Sequence, residues 1–352
     1  MDTLTHALSG ALAARATTPA RARHSVAARI TAGFFACAFP DADVVLSLFS
    51  PVTYLTLHRG VTHSMILAPL WAYLLACLFA RMHRRKPVSW RDYFGVCLLA
   101  ILMHIVGDLI TSFGTMIYAP FSDARVAWHT TFIIDLWFSG IIVAGLAAAW
   151  VWRRSRVPAA IGLAGLAAYV GLQALQHQRA VNFGRRFAES RALPGARVSA
   201  LPRPVSPFNW MVVVTEGDLY HYANVNLVRR APLPRPGPRA GLIARLNAAY
   251  VPLEQAQWIT IHKYGPDPSR RDLAARVLAH PRLGFYRWFA DHPALYRIDE
   301  RNPAICVWFE DLRFTTVGRE SSSFRYGLCS AGHTDDWRPF RLRDNGTREA
   351  VN

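Results

Sequence analysis

Apolar residues come in long unbroken runs over the first half of the chain and in short alternating runs over the second. Four runs, roughly 64–81, 93–112, 132–152 and 158–176, are long and apolar enough for the about 20 helical residues that cross a bilayer. Two earlier runs, 3–15 and 27–49, are helical in pattern. The first is short or re-entrant, and PDAD at 40–43 breaks the second, because proline disrupts a helix. Beyond residue 176 the pattern changes. QHQRAVNFGRRFAESRAL (177–194) reads as an exposed helix, and NWMVVVTEGDLYHYANVNLV (209–228) as two strands around a Gly-Asp turn. RRAPLPRPGPR (229–239) is a proline-rich loop, and AICVWFEDLRF (304–314) and SSFRYGLCS (322–330) are further strands. The expected fold is mainly α: a polytopic helical membrane bundle over 1–176, followed by a small α+β or β-rich extramembrane domain over 177–352.

Composition supports this division. Hydrophobic residues make up 52% of the chain, more than soluble domains usually carry. The net charge of +17 suggests nucleic acid, yet the chain has no zinc finger, aromatic RNA-binding signature or basic helix. The basic residues gather instead in loops between apolar runs: five in RMHRRKPVSWR (81–91), three in RRSR (153–156) and four arginines in 15–29. Such loops stay on the cytoplasmic side. Segments 50–62 and 113–131 then face outward, and the chain leaves its last span on the outer side, which makes the second half periplasmic or extracellular. Anionic lipid is the expected acidic partner. The first apolar run follows Asp2 and His6 rather than the basic start of a cleavable signal peptide. No CxxC pair is present; Cys37, Cys77 and Cys97 read as buried thiols, whereas Cys306 and Cys329 could form a disulfide in an oxidising compartment.

Ionisable residues inside membrane segments are costly and usually functional. In MHIVGDLIT (103–111), His104 and Asp108 lie four apart on one helix face, a spacing that suits two ligands of one ion or a ligand and its supporting partner. Asp2 and His6 repeat the spacing, although Asp2 also suits a helix N-cap. Asp41 and Asp43 in FPDADVV could both point at a cation from the turn after Pro40. His58 and His63 flank Arg-Gly in HRGVTHS, with Gly60 permitting a turn, Thr62 capping the next helix and Arg59 placed to clamp an anion. The loop signals bring Asp41, Asp43, His58, His63, His104 and Asp108 to the outer leaflet, with His129 and Asp135 nearby, and His6 joins them if the first helix starts outside. A cluster of His and Asp without Cys suits zinc, with manganese or magnesium as alternatives, and offers enough ligands for two ions.

The set MDTLTHALSG, FPDAD, HRGVTHS and HIVGDLITSFGTMIYAPFS resembles that of the YdjM-type family of predicted membrane-bound, metal-dependent hydrolases, over about residues 1–150. The resemblance implies a multi-span inner-membrane protein with metal ligands at His6, Asp41, Asp43, His58, His63, His104 and Asp108. The order of His, Asp, His and HxxxD is more loosely similar to zinc-dependent phospholipase C and the zinc nucleases; their further ligands have only His129 and Asp135 as counterparts here.

The expected function is a metal-dependent hydrolase acting on a phosphoester or ester of a lipid at the outer face of the inner membrane. One aspartate, Asp41 or Asp43, would act as base and Arg59 would steady developing charge. The alternative is a transporter of protons or divalent cations through the His/Asp pairs; a third reading is a purely structural metal site.

Overall fold

In a computed structural model of the chain, the described residues are all except 20–24, 84–87, 238, 302–303, 318–321, 323, 333–335 and 352. The basic stretches around 20–24 and 84–87 therefore fall partly outside them. The chain divides into two compact units, one formed by Met1–Leu46 with Leu57–Gln176, the other by Ser47–Thr56 with His177–Asn352.

The first half is helical: α1 (Thr3–Ala16), α2 (Val26–Ala38), a 3-10 helix over Phe39–Leu48, α3 (Pro51–Leu57), a 3-10 turn at Val61–His63, α4 (Ala68–Met82), α5 (Trp90–Leu109), α6 (Leu136–Val151) and α7 (Val157–Ser190). Local chemistry sets the starts. The Asp2 carboxylate accepts from the Thr5 amide at 3.0 Å, Ser25 accepts from Ala28 at 3.2 Å, and Asp135 accepts from the amides of Trp137 and Phe138 at 2.9 and 3.0 Å, each satisfying donors that a helix start leaves open.

Among the described residues, three stretches are long and apolar enough to cross a membrane: Val26–Leu48, Trp90–Leu109 and Val157–Ser190; a fourth would be the bent pair Pro51–His63 and Ala68–Met82. This corrects the sequence reading in four places. The 27–49 run is a continuous helical stretch, because a 3-10 segment accommodates Pro40 directly after α2. The 132–152 run yields a helix of only 16 residues, since Asp135 caps it. The 64–81 run starts its helix at Ala68. The separate helix expected after 176 is the unbroken continuation of α7 to Ser190.

The packing of α4 shows how the first unit holds together. Ala68, Ala72 and Ala76 are fully buried, whereas Leu70, Leu74 and Leu78 on the opposite face are about half exposed (47–51%). Small residues inward and leucines outward is the arrangement of a helix that meets other helices closely and lipid on its far side. The closest approach is between α1 and α2: a Cβ on Gly10 would sit 2.3 Å from the Gly33 carbonyl oxygen, and one on Gly33 would sit 2.6 Å from Ala14 Cβ. This close approach holds α2 against α1, and with it the 3-10 segment that follows α2 and carries Asp41.

The unit has a basic end. Arg15 at the close of α1 donates to the carbonyls of Arg153 (2.9 Å) and Ser155 (2.5 Å), and Arg156 donates to that of Thr18 (3.2 Å). The N-terminus of α1, the 3-10 segment after α2, the C-terminus of α5 and the start of α6 lie at the opposite end. By Tyr169, whose hydroxyl donates to Asp135 at 2.7 Å, α7 has returned to that end.

The second unit is β-rich. One sheet runs β1 (Arg197–Pro202), β2 (Asn209–Glu216), β3 (Leu219–Asn226) and β4 (Val251–Pro252), with β5 (Ile259–His262) also on β3. The other is the meander β6 (Pro293–Arg301), β7 (Ala304–Asp311), β8 (Arg325–Ser330), β9 (Arg338–Leu342) and β10 (Arg348–Ala350). Helices α8 (Leu242–Ala248), α9 (Pro268–Ala279) and α10 (Gly284–Phe289) complete it. The expected β2–β3 hairpin forms, with Gly217 at φ 55°, a left-handed conformation that glycine adopts without cost. Cys306 and Cys329 stand opposite on β7 and β8 and are joined by a disulfide. Buried Arg203 ties the first sheet to the segment after β7 by donating to the carbonyls of Leu312 (3.0 Å), Arg313 (3.1 Å) and Thr315 (2.6 Å).

Candidate metal centre

Four side chains from three segments of the first unit converge: Asp41 from the 3-10 helix after α2, His63 from the turn before α4, and His104 and Asp108 from α5. One donor atom of each lies within 4.8 Å of all the others. The closest pair is His63 Nε2 and His104 Nε2, 3.0 Å apart. Asp108 Oδ2 lies 3.2 Å from the first and 3.4 Å from the second, and Asp41 Oδ1 lies 3.7 and 3.5 Å from them.

The surroundings fix the protons on these rings. His104 Nδ1 lies 2.6 Å from the Cys37 carbonyl, which can only accept, so Nδ1 donates and Nε2 holds a lone pair. Thr62 Oγ1 donates to Asp43 Oδ2 (3.0 Å) and lies 2.9 Å from His63 Nδ1, so that nitrogen donates to the hydroxyl and a neutral His63 keeps its lone pair on Nε2. With both rings neutral, two imidazole lone pairs and two carboxylate oxygens face one another. Donors about 2.1 Å from a shared ion, at angles between about 90° and 109°, would lie roughly 3.0–3.4 Å apart, which is the spacing seen for the His63, His104 and Asp108 atoms. The residues fit a divalent cation.

Asp108 gives the clearest sign. Its Oδ1 accepts from the Met1 amino group (2.5 Å), Arg59 Nη2 (2.8 Å) and His6 Nε2 (3.0 Å). Its Oδ2 is buried and makes no hydrogen bond, an arrangement that is expensive unless a cation completes it. One oxygen is held by the protein and the other is presented to the ion, which orients a ligand carboxylate from behind.

The remaining candidates take supporting places. His6 stacks on His104 with ring centroids 3.7 Å apart, and reaches Asp108 rather than the four-atom group. It leans on Gly107, where a Cβ would lie 2.9 Å from its ring. Asp43 and His58 pair with each other, Oδ1 to Nδ1 at 2.7 Å. Asp43 Oδ2 also accepts from the Arg59 amide (3.0 Å) and the Thr62 hydroxyl, so this carboxylate folds the HRGVTHS loop and braces His63. Arg59, at φ 61° and 2% exposed, spends its guanidinium on Asp108 and on the Thr111 hydroxyl (3.1 Å), with Phe113 4.8 Å beneath it. Asp135 caps α6 and accepts from Tyr169.

Thr62 is not the cap of the next helix. That helix starts from Leu67 with no side-chain cap, and Ser64 holds the turn before it, accepting from the amides of Ile66 (3.1 Å) and Leu67 (3.2 Å). The sequence reading also passed over Thr3, whose hydroxyl donates to Asp41 Oδ2 at 2.7 Å; its place beside Asp2 and His6 in MDTLTH was the available signal. A second group, His6, Cys37 and His104, also lies within 4.8 Å. Its His104 Nδ1 and His6 Nε2 are already engaged by Cys37 and Asp108, so the Asp41–His63–His104–Asp108 group is the better cation site. Of those four side chains only Asp41 shows any exposure, 10% against 0% for the rest, so the approach to the centre lies on its side.

Apolar helices long enough to cross a membrane, around a buried His/Asp group, define a membrane protein with the means to hold a metal. The family model of the YdjM inner membrane protein matches residues 1–180, and the chain belongs to that family. It is 30% identical over 178 residues to the Bacillus subtilis (strain 168) protein described as uncharacterized protein YfhP, a match covering 48% of this chain and 51% of that protein. The chain thus spans about half the length of the curated relative it matches. No solved structure matches it.

Proposed function

We propose that the protein is a multi-pass, metal-dependent hydrolase acting on a phosphoester or ester of a lipid or lipid-linked substrate at the outer face of the inner membrane. The observation that carries this reading is the convergence of four ligand atoms, two imidazole nitrogens and two carboxylate oxygens, within 4.8 Å of one another. Nitrogen and oxygen donors without thiolate favour zinc, with manganese or magnesium as alternatives. The orientation rests on the basic end formed around Arg15 and Arg156: if that end is cytoplasmic, the metal centre lies toward the periplasm and the β-rich unit follows it there. The Cys306–Cys329 disulfide fits an oxidising compartment.

When bound, the cation supplies Lewis-acid activation of water and neutralises charge on the scissile group. The chain supplies the rest. Substrate reaches the centre past Asp41, whose Oδ2, steadied by Thr3, takes the proton of the attacking water. The water oxygen bonds to phosphorus or acyl carbon as the bond to the leaving oxygen breaks, and Asp41 returns the proton to that oxygen. Arg59 holds Asp108 in place, while Asp43 and His58 hold the loop that carries His63. The test is turnover by purified full-length protein, loaded with zinc or manganese, on phosphomonoester, phosphodiester and carboxylic-ester lipids in micelles. Turnover of one class, lost in Asp41→Asn and His104→Ala, is expected. No turnover of any class by metal-loaded protein would overturn the reading, and metal uptake into proteoliposomes would favour transport in its place.

A further inference from the structure

Between β3 and β4 the chain leaves the first sheet of the β-rich unit and returns to it as one excursion, with its two ends tied together. Arg229 donates to the Asn247 carbonyl (3.2 Å), to the Asn247 side-chain oxygen (3.2 Å) and to the Tyr250 carbonyl. Asn247 accepts in turn from Asn209 on β2 at 3.0 Å. From Arg230 to Arg245 the described residues are exposed, apart from half-buried Ala240. We infer that this excursion is a membrane-docking surface: its arginines bind the anionic phospholipid headgroups of the bilayer that carries the chain, and its apolar side chains enter the interface among them.

Charge and apolarity occur there together. Arg230, Arg235, Arg239 and Arg245 are exposed, and no Asp or Glu stands between Asp218 and Glu254. Among the described residues, no carboxylate pairs with any of the four. Leu233, Leu242 and Ile243 are 39%, 55% and 59% exposed, and α8, which carries the last two, buries none of its residues. A connection that only crosses water is built from Gly, Pro, Asn, Asp and Ser, and gains nothing from three exposed aliphatic side chains. Arginines interleaved with such side chains compose a surface that lies in the headgroup layer, where the guanidinium groups meet phosphate and the aliphatic groups reach the acyl boundary. Pro232, Pro234 and Pro236 limit the conformations open to the excursion, so less freedom is lost on docking. An acidic protein would also suit the arginines. The bilayer is favoured because the helix leading into this unit, Val157–Ser190, is itself long and apolar enough to cross one.

The experiment follows backbone amide exchange over residues 230–246 in the full-length protein, held in nanodiscs of phosphatidylcholine alone or of phosphatidylcholine with phosphatidylglycerol. Exchange is expected to be fast in the first and slowed in the second, and the slowing should fade at high salt. The triple variant Arg235→Gln, Arg239→Gln, Arg245→Gln should lose it, since each arginine near an anionic surface is worth roughly fivefold, about 1 kcal/mol. Leu242→Ser with Ile243→Ser should weaken it at unchanged charge. Arg282→Gln, at an exposed arginine of the same unit outside the excursion, should keep it. Exchange that is equal in the two nanodiscs, or slowing that survives in the triple variant, would overturn the inference; equal and fast exchange, with no other protein in the disc, would leave the excursion to a protein partner.

Discussion

His63 and His104 meet nitrogen to nitrogen, Nε2 to Nε2, at 3.0 Å, and the Nδ1 of each ring is engaged on the other side, by Thr62 and by the Cys37 carbonyl. Asp41 and Asp108 add two oxygens to this pair. With both rings neutral and no cation, four electron-rich atoms face one another, so metal binding should stabilise the folded chain. A ligand at a hundred times its Kd adds about 2.7 kcal/mol. Thermal unfolding followed with and without zinc should show a rise in Tm that disappears in Asp41→Asn; an equal rise in the variant would place the ion elsewhere.

Arg59 should matter through Asp108. Its Nη2 holds Asp108 Oδ1 at 2.8 Å, and removal of such a supporting partner typically weakens metal affinity by about 10–100-fold. Arg59→Ala is expected to show that loss in competition against a chelator. Arg59→Lys should recover only part of it, because an ammonium cannot serve Asp108 and Thr111 together as the guanidinium fork does. Unchanged affinity with lost turnover would return Arg59 to the role its place in HRGVTHS first suggested, contact with an anionic substrate.

The contact between Gly10 and Gly33 predicts a remote effect on the centre. In Gly33→Ala the new methyl would lie 2.6 Å from Ala14 Cβ and from the Gly10 carbonyl, and α2 must move away from α1. Overpacking of this kind costs roughly 1–3 kcal/mol. Lower Tm and weaker metal binding are both expected, since Asp41 follows α2. Gly140→Ala, where a Cβ meets nothing within 4 Å, is the control and should be neutral or stabilising.

In the β-rich unit, Asp311 is fully buried and accepts from Arg313 Nη2 and Nε, both at 2.8 Å. Burial alone would raise its pKa, but Arg313, His292 and the Arg313 amide outweigh it and hold the carboxyl below its usual range. The folded state thus favours the ionised form. Its contribution is complete above the ordinary carboxylate pKa of about 3.9 and fades as pH falls through the lower folded value. Asp311→Asn should lose roughly 3–5 kcal/mol at neutral pH, as expected when one partner of a buried pair is removed, and should unfold with a shallower acid dependence. An unchanged acid slope would assign that dependence to other carboxylates.

The spacing of His104 and Asp108 was legible because an α-helix places residues four apart on one face. Asp41 and Asp43 were expected to act together, and they diverge because Phe39–Leu48 is a 3-10 helix: at three residues per turn, positions two apart point in different directions. His58 and His63 share a motif, but only His63 turns into the centre, a choice made by the fold of the loop around Asp43 that no spacing rule contains. In the second unit the Gly217–Asp218 turn announced β2 and β3. The order of strands in the two sheets depends on pairing between distant segments and left no local mark.

The most direct test is the metal content of the full-length protein, extracted in detergent and compared with His104→Ala after identical loading. The four-donor centre predicts stoichiometric metal in the wild type and its loss in the variant. Wild-type protein that holds no stoichiometric metal under any loading condition, or a variant that keeps its full complement, would contradict it.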